Sequence, residues 1–450
     1  MLYNIRDFGA VGDGITLDSA AIQRAVNAVR DSGSPGTVVI PQGEYRCGSI
    51  ECVSDLTIQF EPGARLVASD NIADFSERKE YTFLSHYFFG AFNCKNLTFQ
   101  GNGLIDGNGF AFWHKDYCNG SPAETFVDPA HENNVSFPLR PHSCRPVVMM
   151  FVECENIVLR DFTVINGAAF TIWPLACSHV RIENLDIKNY RQGPNSDALD
   201  IDSCSDVFIS NCRLDAGDDC IALKTSHYRL EKPRPCERIC VSNCILSSPT
   251  CGIRVGFEGD APIRDCVFSN LVIYDSGHGV DMISVTAHRT VMTIEHGCDI
   301  ENIAFSNIVM RNVKAALYLR AGRFGAVAAE QPAYRAHIKD ITFSGITAYT
   351  MDASFIGSVE NFPHCVENIT LRDITLHCER NERSRPAEHF TKPHWEISSP
   401  DALDLLNVEN LFISNLRITG GELRGAGLQN VLSDVKIIPI DEKYLDFLAD

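Results

Sequence analysis

The sequence predicts an all-β fold, a right-handed parallel β-helix (a solenoid) with a short N-terminal capping helix. Two observations predict it. Short segments of alternating apolar and polar residues recur along the chain, and a polar corner joins each to a second such segment. Alternation is typical of a strand with one buried face. One such unit cannot bury its apolar face alone, whereas stacked units share a continuous core. We therefore expect residues 1–450 to form a single domain.

The repeating unit is clearest in segments such as "SHVRIENLDIKN" from Ser178 and "IENIAFSNIVMR" from Ile300. An asparagine marks the corner in many of them, at intervals of about 27 to 37 residues. The corner residues are Asn184, Asn211, Asn243, Asn270 and Asn307. Asparagine tolerates the left-handed backbone conformation that a sharp corner requires. The strands are too short, and helical patterns too rare, for an α/β fold.

Residues 1–35 are expected to form the N-terminal cap, because they contain a helical pattern. Asp18 is the predicted N-cap. The apolar face of the helix would consist of Ala21, Ile22, Ala25, Val26 and Val29. A helix there would cover the open edge of the first coil.

Residues 108–145 interrupt the repeat with a segment rich in aromatic residues, proline and histidine. Long irregular segments within a compact domain are usually functional or disordered. We expect this inserted region to form a wall of a binding site. The alternative is a surface loop without a role.

The charge balance limits the range of partners. The formal net charge is −19, whereas nucleic-acid binding needs clustered Lys and Arg. The longest apolar run, Val147–Val152, is far too short to span a bilayer. We therefore expect neither a nucleic acid nor a membrane as a partner. The opening residues lack the apolar stretch of a secretory signal, so a cytoplasmic location is expected, or secretion if a leader has been trimmed.

The 18 cysteines are scattered along the chain, and many occupy strand-like positions. We expect reduced, buried thiols. Cys236, Cys240 and Cys244 are spaced by four, but no CxxC pair or histidine-rich cluster completes a zinc-type site. No metal or other cofactor is expected.

Three carboxylates stand out in "GPNSDALDIDSCSDVFISNCRLDAGDDCIALK". Asp197 precedes Asp218 and Asp219 by close to one repeat, and neighbouring strands of a sheet lie about 5 Å apart. Asp197 should therefore lie beside the Asp218–Asp219 pair. Like charges at close range keep one carboxyl protonated near neutral pH. That group can donate a proton while an ionised one activates water, as glycoside hydrolysis requires. The alternatives are a Ca²⁺ site and aspartates that only form turns.

The chain also resembles glycoside hydrolase family 28, the polygalacturonases and their relatives. The resemblance runs from "DFGAVGDGITLDSAAIQRAV" through "GTVVIPQGEY" and "GNGLIDGNG" to the last coil. The family's Asn-Thr-Asp motif matches "NSD" at 195–197, and its Gly-Asp-Asp motif matches "GDD" at 217–219. The resemblance implies a parallel β-helix, with Asp218 as general acid and with Asp197 and Asp219 activating water for inversion. Asn195 would bind substrate.

Two family motifs are altered. The Gly-His-Gly motif falls on "SSPTCGIRVG", where Thr250 or Cys251 replaces His. The Arg-Ile-Lys motif of polygalacturonases falls on "HGVDMIS", where Asp281 and Ile283 replace the basic residues. In polygalacturonases those basic residues hold the substrate carboxylate, so an Asp is expected to repel a galacturonate.

Other polar residues could take over substrate binding. Lys224 and Arg254 are the leading basic candidates because they lie nearest the carboxylates along the chain. His278 precedes Asp281, which could accept hydrogen bonds from hydroxyl groups of a neutral sugar. For each basic residue the alternative is a solvated surface charge.

The sequence thus predicts an inverting, exo-acting glycoside hydrolase whose partner is an oligosaccharide of the plant cell wall. The substrate would be pectic, with rhamnogalacturonan-type fragments as one option. Three alternatives stay open: a glycosidase acting on a neutral-sugar glycan, a Ca²⁺-dependent polysaccharide lyase, and a non-catalytic β-helix that binds glycans.

Overall fold

A computed structural model describes most of the chain. The described residues are 1–78, 84–118, 121–122, 139–141, 144–226, 230–288, 293–323, 334–358, 364–379, 402–421, 423–429 and 431. They divide into two compact units. Unit 1 holds the described residues up to Ala222 together with Ile239–Pro249, and unit 2 holds those of Leu223–Arg238 and those from Thr250 onward. The expectation of one domain spanning 1–450 stays a prediction.

Unit 1 is built from short strands, most of which pair with the strands one coil away. They are β1 Leu2–Asn4, β2 Asp13–Leu17, β3 Gly36–Ile40, β4 Gly43–Cys47, β5 Ile50–Glu51, β6 Leu56–Phe60, β7 Ala64–Ala68, β8 His86–Phe92, β9 Lys95–Gln100, β10 Leu104–Asp106, β11 Trp113–Cys118, β12 Ser121–Pro122, β13 Leu139–Pro141, β14 Pro146–Val152, β15 Glu155–Arg160, β16 Thr163–Ile165, β17 Ile172–Leu175, β18 Ser178–Glu183, β19 Asp186–Lys188, β20 Leu199–Asp202, β21 Ser205–Ser210, β22 Arg213–Asp215, β23 Ile221–Thr225, β24 Cys236–Ser242 and β25 Ile245–Ser247. A unit boundary falls within β23 and within β24.

Three parallel ladders run along unit 1. One contains β8, β14, β17 and β20. The second contains β6, β9, β15, β18 and β21. The third contains β7, β10, β16, β19, β22 and β25. Successive coils therefore place equivalent residues in register, as in the column Ile157, Val180 and Val207. Each of these side chains is at most 1% exposed, and burial of each contributes about 1.5–3 kcal/mol.

The helix α1, Ser19–Ser32, buries the five residues that the sequence placed on its apolar face. Asp18 is the N-cap residue, as predicted, but its side chain makes no hydrogen bond to the helix N–H groups. Its carboxylate instead accepts hydrogen bonds from the backbone N–H groups of Val11, at 2.7 Å, and Gly12, at 3.0 Å. Asp18 therefore ties the helix start to the preceding turn. Among the described residues, 3₁₀ helices also occur at Ile5–Phe8, Ile72–Asp74 and Gly109–Phe112.

Unit 2 has longer strands, which include the corner residues between successive faces. They are β26 Cys251–Gly259, β27 Ile263–His288, β28 Thr293–Ile294, β29 Ile300–Arg323, β30 Ile338–Thr350, β31 Ser354–Ser358, β32 Val366–Cys378, β33 Leu403–Leu406, β34 Glu409–Thr419 and β35 Leu423–Ala426. Phe268, Phe305 and Phe343 occupy matching positions on β27, β29 and β30. Their rings stack at 4.8 and 5.0 Å between centroids, which forms a continuous aromatic column in the core.

The five predicted corner asparagines all have positive φ, between 53° and 57°. This is the left-handed region, which costs most other residue types about 1–2 kcal/mol. In unit 2 the corners also bond from coil to coil, since Asn307 Nδ2 donates to Asn270 Oδ1 at 3.3 Å. The corner prediction is confirmed, and with it the parallel β-helix with an N-terminal helix.

The inserted region, 108–145, is described only in part. Its backbone contains one 3₁₀ helix and a small antiparallel sheet in which β11 pairs with β12 and β13. Residues 119–120, 123–138 and 142–143 lie outside the described residues. The cysteines in the described part of the chain are free, and most are buried. Within that part, no helix has the length and apolar character needed to cross a membrane.

Candidate active site

Asp197, Asp218 and Asp219 lie together in unit 1. One carboxylate oxygen of each lies within 4.8 Å of the corresponding oxygens of the other two. The three residues are only 1%, 8% and 5% exposed. The structure thus brings together the three acids that the sequence singled out, and it encloses them.

Backbone pairing explains why they meet. The N–H of Ile172 bonds to the carbonyl of Ala198, and Ile172 is in register with Leu199. By the same offset, the bond from Ala198 N–H to the carbonyl of Asp219, at 2.9 Å, aligns Asp197 with Asp219. Two residues in register on adjacent parallel strands project from the same face of the sheet. The acids therefore meet because they are one coil apart.

Gly217 precedes the Asp218–Asp219 pair at a point where the chain has no room for a side chain. A Cβ atom there would lie 2.2 Å from Ser196 Oγ and 2.4 Å from the carbonyl oxygen of Tyr190. The Ser196 hydroxyl donates to the carbonyl of Gly193 at 2.8 Å, and Gly217 N–H donates to the carbonyl of Ser196 at 3.1 Å. The glycine of "GDD" thus allows close packing against the "NSD" turn.

Asn189 supports this turn from below, and the sequence reasoning missed it. Its Nδ2 donates to Thr171 Oγ1 at 2.7 Å and to the carbonyl of Ser196 at 2.9 Å. Its Oδ1 accepts from Gly167 N–H at 2.8 Å. A buried amide with three bonds fixes its neighbours in place. No sequence signal distinguishes it from other asparagines that follow a short strand.

Arg145 is a second residue that was missed, because it stood at the edge of the irregular region. It is 3% exposed. Its Nη1 donates to the carbonyl oxygens of Ala168, at 3.2 Å, and Pro194, and its Nη2 donates to Asn195 Oδ1. The only available signal was its position directly before the apolar run of β14, which favours burial.

Burial lowers the pKa of Arg145 to about 10, while the charges of Asp197 and Asp218 act in the opposite direction. The guanidinium is therefore still positive at neutral pH. Three carboxylates this close cannot all ionise without a large penalty. A cluster that keeps one proton beside ionised oxygens can serve as both acid and base. Oxygens at this spacing could also hold a hard cation, but Arg145 already offsets part of the negative charge.

Asn195, the first residue of "NSD", is half-buried and has a φ of 49°. A guanidinium offers only donors, so the amide oxygen of Asn195 must face Arg145. Its NH₂ group then points away from the guanidinium. That orientation leaves a donor pair available on a half-buried side chain.

An aromatic cluster lies beside the same turn. Phe110 and Tyr190 are 38% and 37% exposed, with ring centroids 4.8 Å apart. Trp113 is buried against both rings, and its indole N–H donates to the carbonyl of Ala168 at 3.0 Å. The first residues of the inserted region thus pack Phe110 and Trp113 against Tyr190, beside the "NSD" turn.

In unit 2, Asp281 is paired rather than isolated. Its Oδ2 lies 2.7 Å from Arg254 Nη1 and 2.8 Å from His278 Nδ1. Arg254 and Asp281 face each other on β26 and β27. The His278 ring stacks on Tyr318 at 4.8 Å between centroids. The expected repulsion of an acidic sugar presupposed an uncompensated Asp281, whereas a cation lies in direct contact with it.

Lys224 and Arg254 are 4% and 7% exposed, which does not fit solvated surface charges. Lys224 Nζ lies 3.6 Å from Glu258 Oε2. Both basic candidates are therefore buried and have acidic partners within unit 2. A buried cation of this kind is expensive to desolvate and is usually retained for a structural or binding role.

Comparison with known proteins agrees with these motifs. The family model for glycosyl hydrolases family 28 matches residues 31–393. A probable polygalacturonase of Vitis vinifera is 25% identical over 81% of this chain and 73% of its own length. An exopolygalacturonase of Arabidopsis thaliana is 22% identical over 83% of this chain and 79% of its own length.

Two solved structures share the fold. The family 28 exopolygalacturonase of Yersinia enterocolitica superposes with a TM-score of 0.70 at 21% identity, covering 96% of this chain and 78% of that one. The exopolygalacturonase of Thermotoga maritima gives a TM-score of 0.71 at 21% identity, covering 94% of this chain and 92% of that one. With the family model matching most of its length, the chain belongs to glycosyl hydrolase family 28 and is a glycoside hydrolase.

Proposed function

We propose that the chain is an inverting, exo-acting glycosidase that hydrolyses pectic oligosaccharides of the plant cell wall. The observation that carries the proposal is the enclosed cluster of Asp197, Asp218 and Asp219, with oxygens within 4.8 Å of one another. It provides both a retained proton and ionised oxygens. Membership of a glycoside hydrolase family then assigns that chemistry to a glycosidic bond.

In the proposed mechanism, Asp218 is the general acid. It protonates the glycosidic oxygen as the bond from that oxygen to the anomeric carbon breaks. Asp197 and Asp219 hold a water molecule and accept its proton while the water oxygen attacks the anomeric carbon. One water is consumed, and the products are a reducing sugar and a shortened alcohol.

The stereochemical outcome depends on where the attacking water lies. Inverting glycosidases usually separate their two carboxyl groups by about 6.5–9.5 Å, and retaining ones by about 5–5.5 Å. The oxygen distances in this cluster, all within 4.8 Å, are shorter than the inverting range. We propose that water lies against both Asp197 and Asp219, so that the pair replaces a single distant base. The resemblance to family 28 supports inversion.

A pectic substrate is supported by the relatives, which are described as polygalacturonases and exopolygalacturonases. We propose that Asn195, Lys224, Arg254, His278 and Asp281 contribute to substrate binding. The contact between Arg254 and Asp281 places a positive charge where an uncompensated carboxylate would oppose an acidic sugar. Rhamnogalacturonan-type fragments are included because the Arg-Ile-Lys motif is absent.

Exo-action is supported by the burial of the three acids, because an enclosed cluster favours a chain end over the interior of a polymer. We propose that the exposed rings of Phe110, from the inserted region, and of Tyr190 form a wall for a sugar ring. The free, mostly buried cysteines fit a reducing compartment. We therefore propose that imported oligosaccharides are degraded in the cytoplasm.

A screen of defined oligosaccharides, galacturonate-containing, rhamnogalacturonan-type and neutral, tests the proposal with Asp218→Asn as the inactive control. We expect turnover of a pectic oligosaccharide with release of one terminal unit at a time. Proton NMR of the first-formed anomer separates inversion from retention. Turnover by Asp218→Asn at the wild-type rate would refute the mechanism, and release of internal fragments would refute exo-action.

A further inference from the structure

Arg145 occupies a position that the proposed chemistry does not yet use. It directly precedes β14, and its side chain crosses to the "NSD" turn about 50 residues further along the chain. It bonds the carbonyl of Pro194 and the amide oxygen of Asn195, and it shares the carbonyl of Ala168 with Trp113. A buried arginine that bridges three acceptors restrains all of them at once.

The contact with Asn195 has a directional consequence. An amide side chain can be turned by 180° at little cost in shape, which exchanges its donor and acceptor ends. Beside a guanidinium, only the orientation with the oxygen toward Arg145 makes a hydrogen bond. The NH₂ of Asn195 is thereby directed away, and it makes no hydrogen bond to a residue in the described part of the chain.

The charge of Arg145 has a second consequence. The charged groups whose fields act on it are Asp197 and Asp218, two members of the carboxylate cluster. A nearby cation favours the ionised form of a carboxyl group. With Arg145 present, the cluster can hold its ionised oxygens at a lower pH than it could alone.

We propose that Arg145 is a positioning residue, which orients the Asn195 amide to donate to the substrate and compensates the charge of the Asp197–Asp218 pair. This inference rests on the proposed function of the same site. Arg145 is not a catalytic residue, because it acts through Asn195 and through the field at the carboxylates. Its two effects are separable, since a lysine keeps the charge but cannot bridge the three acceptors.

The test compares Arg145→Lys and Arg145→Gln with the wild-type protein, using the oligosaccharide identified in the screen. We expect Arg145→Lys to lose roughly tenfold in kcat/KM, because an ammonium group cannot reproduce the several fixed donors of the planar guanidinium. Its pH profile should be unchanged, because the positive charge is kept. Arg145→Gln should lose roughly 100-fold, and both limbs of its pH profile should move to higher pH because the carboxyl groups lose a cation. Arg65→Gln is the matched control, since it removes a cation that pairs with Asp106 elsewhere in unit 1.

A double-mutant cycle with Asn195→Ala separates positioning from general structural support. If Arg145 orients Asn195, Arg145→Lys should cost little more in the Asn195→Ala background. Additive losses, or an Arg145→Gln pH profile identical to that of the wild type, would overturn the inference. A neutron crystal structure of Arg145→Gln, which distinguishes the amide nitrogen from the oxygen, provides a readout without turnover. An Asn195 amide unchanged in orientation there would also overturn the inference.

The two proposals fail in different ways. If Asp218→Asn retains turnover, the proposed function fails. If Asp218→Asn is inactive but the cycle is additive, only the role of Arg145 fails.

Discussion

Nη1 of Arg254 lies 2.7 Å from Oδ2 of Asp281, and the two residues face each other on neighbouring strands. The resemblance to polygalacturonases implies a basic residue at the position of Asp281. In this chain that position is acidic, and a basic residue stands one coil earlier, in contact with it. A positive charge is therefore present beside position 281, and it comes from the strand one coil earlier.

Removal of Arg254 should destabilise the protein. Asp281 is 2% exposed, and Arg254→Gln leaves its carboxylate without the cation. Breaking a buried ion pair from one side costs about 3–5 kcal/mol of unfolding free energy, which denaturant unfolding can measure. The double variant Arg254→Gln/Asp281→Asn should recover much of that loss. A single-variant loss below about 1 kcal/mol would show that the pair is solvated.

Substitution of the acids should remove turnover without removing the fold. Asp218→Asn and Asp197→Asn should each lower kcat by at least about 10²–10⁴-fold, because proton transfer to the leaving oxygen or from water is lost. Steady-state rates and circular dichroism report the two properties separately. Asp186→Asn is the matched control, since Asp186 is exposed on β19, and it should keep the wild-type rate.

Chelation should not affect turnover. Arg145 offsets part of the negative charge beside Asp197 and Asp218, so the cluster does not need a cation for compensation. Rates measured with and without an excess of a Ca²⁺ chelator should agree. Loss of activity on chelation, with recovery on added Ca²⁺ and absorbance from an unsaturated product, would favour a lyase instead.

The exposed rings should contribute to substrate binding rather than to chemistry. Tyr190→Ala and Phe110→Ala should raise KM several-fold with little change in kcat, since a stacking contact that is equal in the ground and transition states affects binding alone. Phe208→Ala is a suitable control, because Phe208 is 52% exposed on β21. Equal KM values for all three variants would exclude the rings from the binding site.

Thiol reactivity should follow burial. Desolvation raises the pKa of Cys47, Cys52 and Cys177 well above the ordinary thiol value, so these groups stay protonated and unreactive. Cys144 is exposed. The side chain of Cys118 lies outside the described residues, so Cys118→Ser removes its thiol from the test. In that background a thiol reagent should label Cys144 first in the native protein, and Cys144→Ser should abolish that fast phase. Fast labelling of Cys177 would indicate that the core opens readily.

The repeat could be predicted because each coil repeats the same local requirements. Asn184 and Asn307 each indicate a corner without reference to the rest of the chain, because few other residue types adopt a positive φ at low cost. The proximity of Asp197 and Asp219 could also be predicted from the sequence. Residues separated by one repeat length lie side by side on neighbouring coils of the stack. In both cases, information within one or two coils was sufficient.

Hydrogen bonds and ion pairs between side chains that do not share the repeat pattern could not be predicted. Arg145 reaches Asn195 across a break in the repeat, so no periodicity connects them. The contact between Arg254 and Asp281 depends on register at single-residue resolution, whereas the repeat pattern defines coil boundaries only approximately. Asp18 is the N-cap residue, but its carboxylate accepts from the backbone of the preceding turn rather than from the helix.

The register of Asp197 with Asp219 also limits how this chain can change in length. Successive side chains of a strand point to opposite faces of the sheet. Loss of one residue between Ala198 and Asp218 would therefore exchange the buried and exposed faces of a strand in that coil, unless a bend accommodated the deletion. Gain or loss of a complete coil elsewhere would leave the alignment of Asp197 with Asp219 intact. Evolution and protein engineering can therefore vary this molecule freely in whole coils, whereas single-residue insertions are tolerated mainly at its bends.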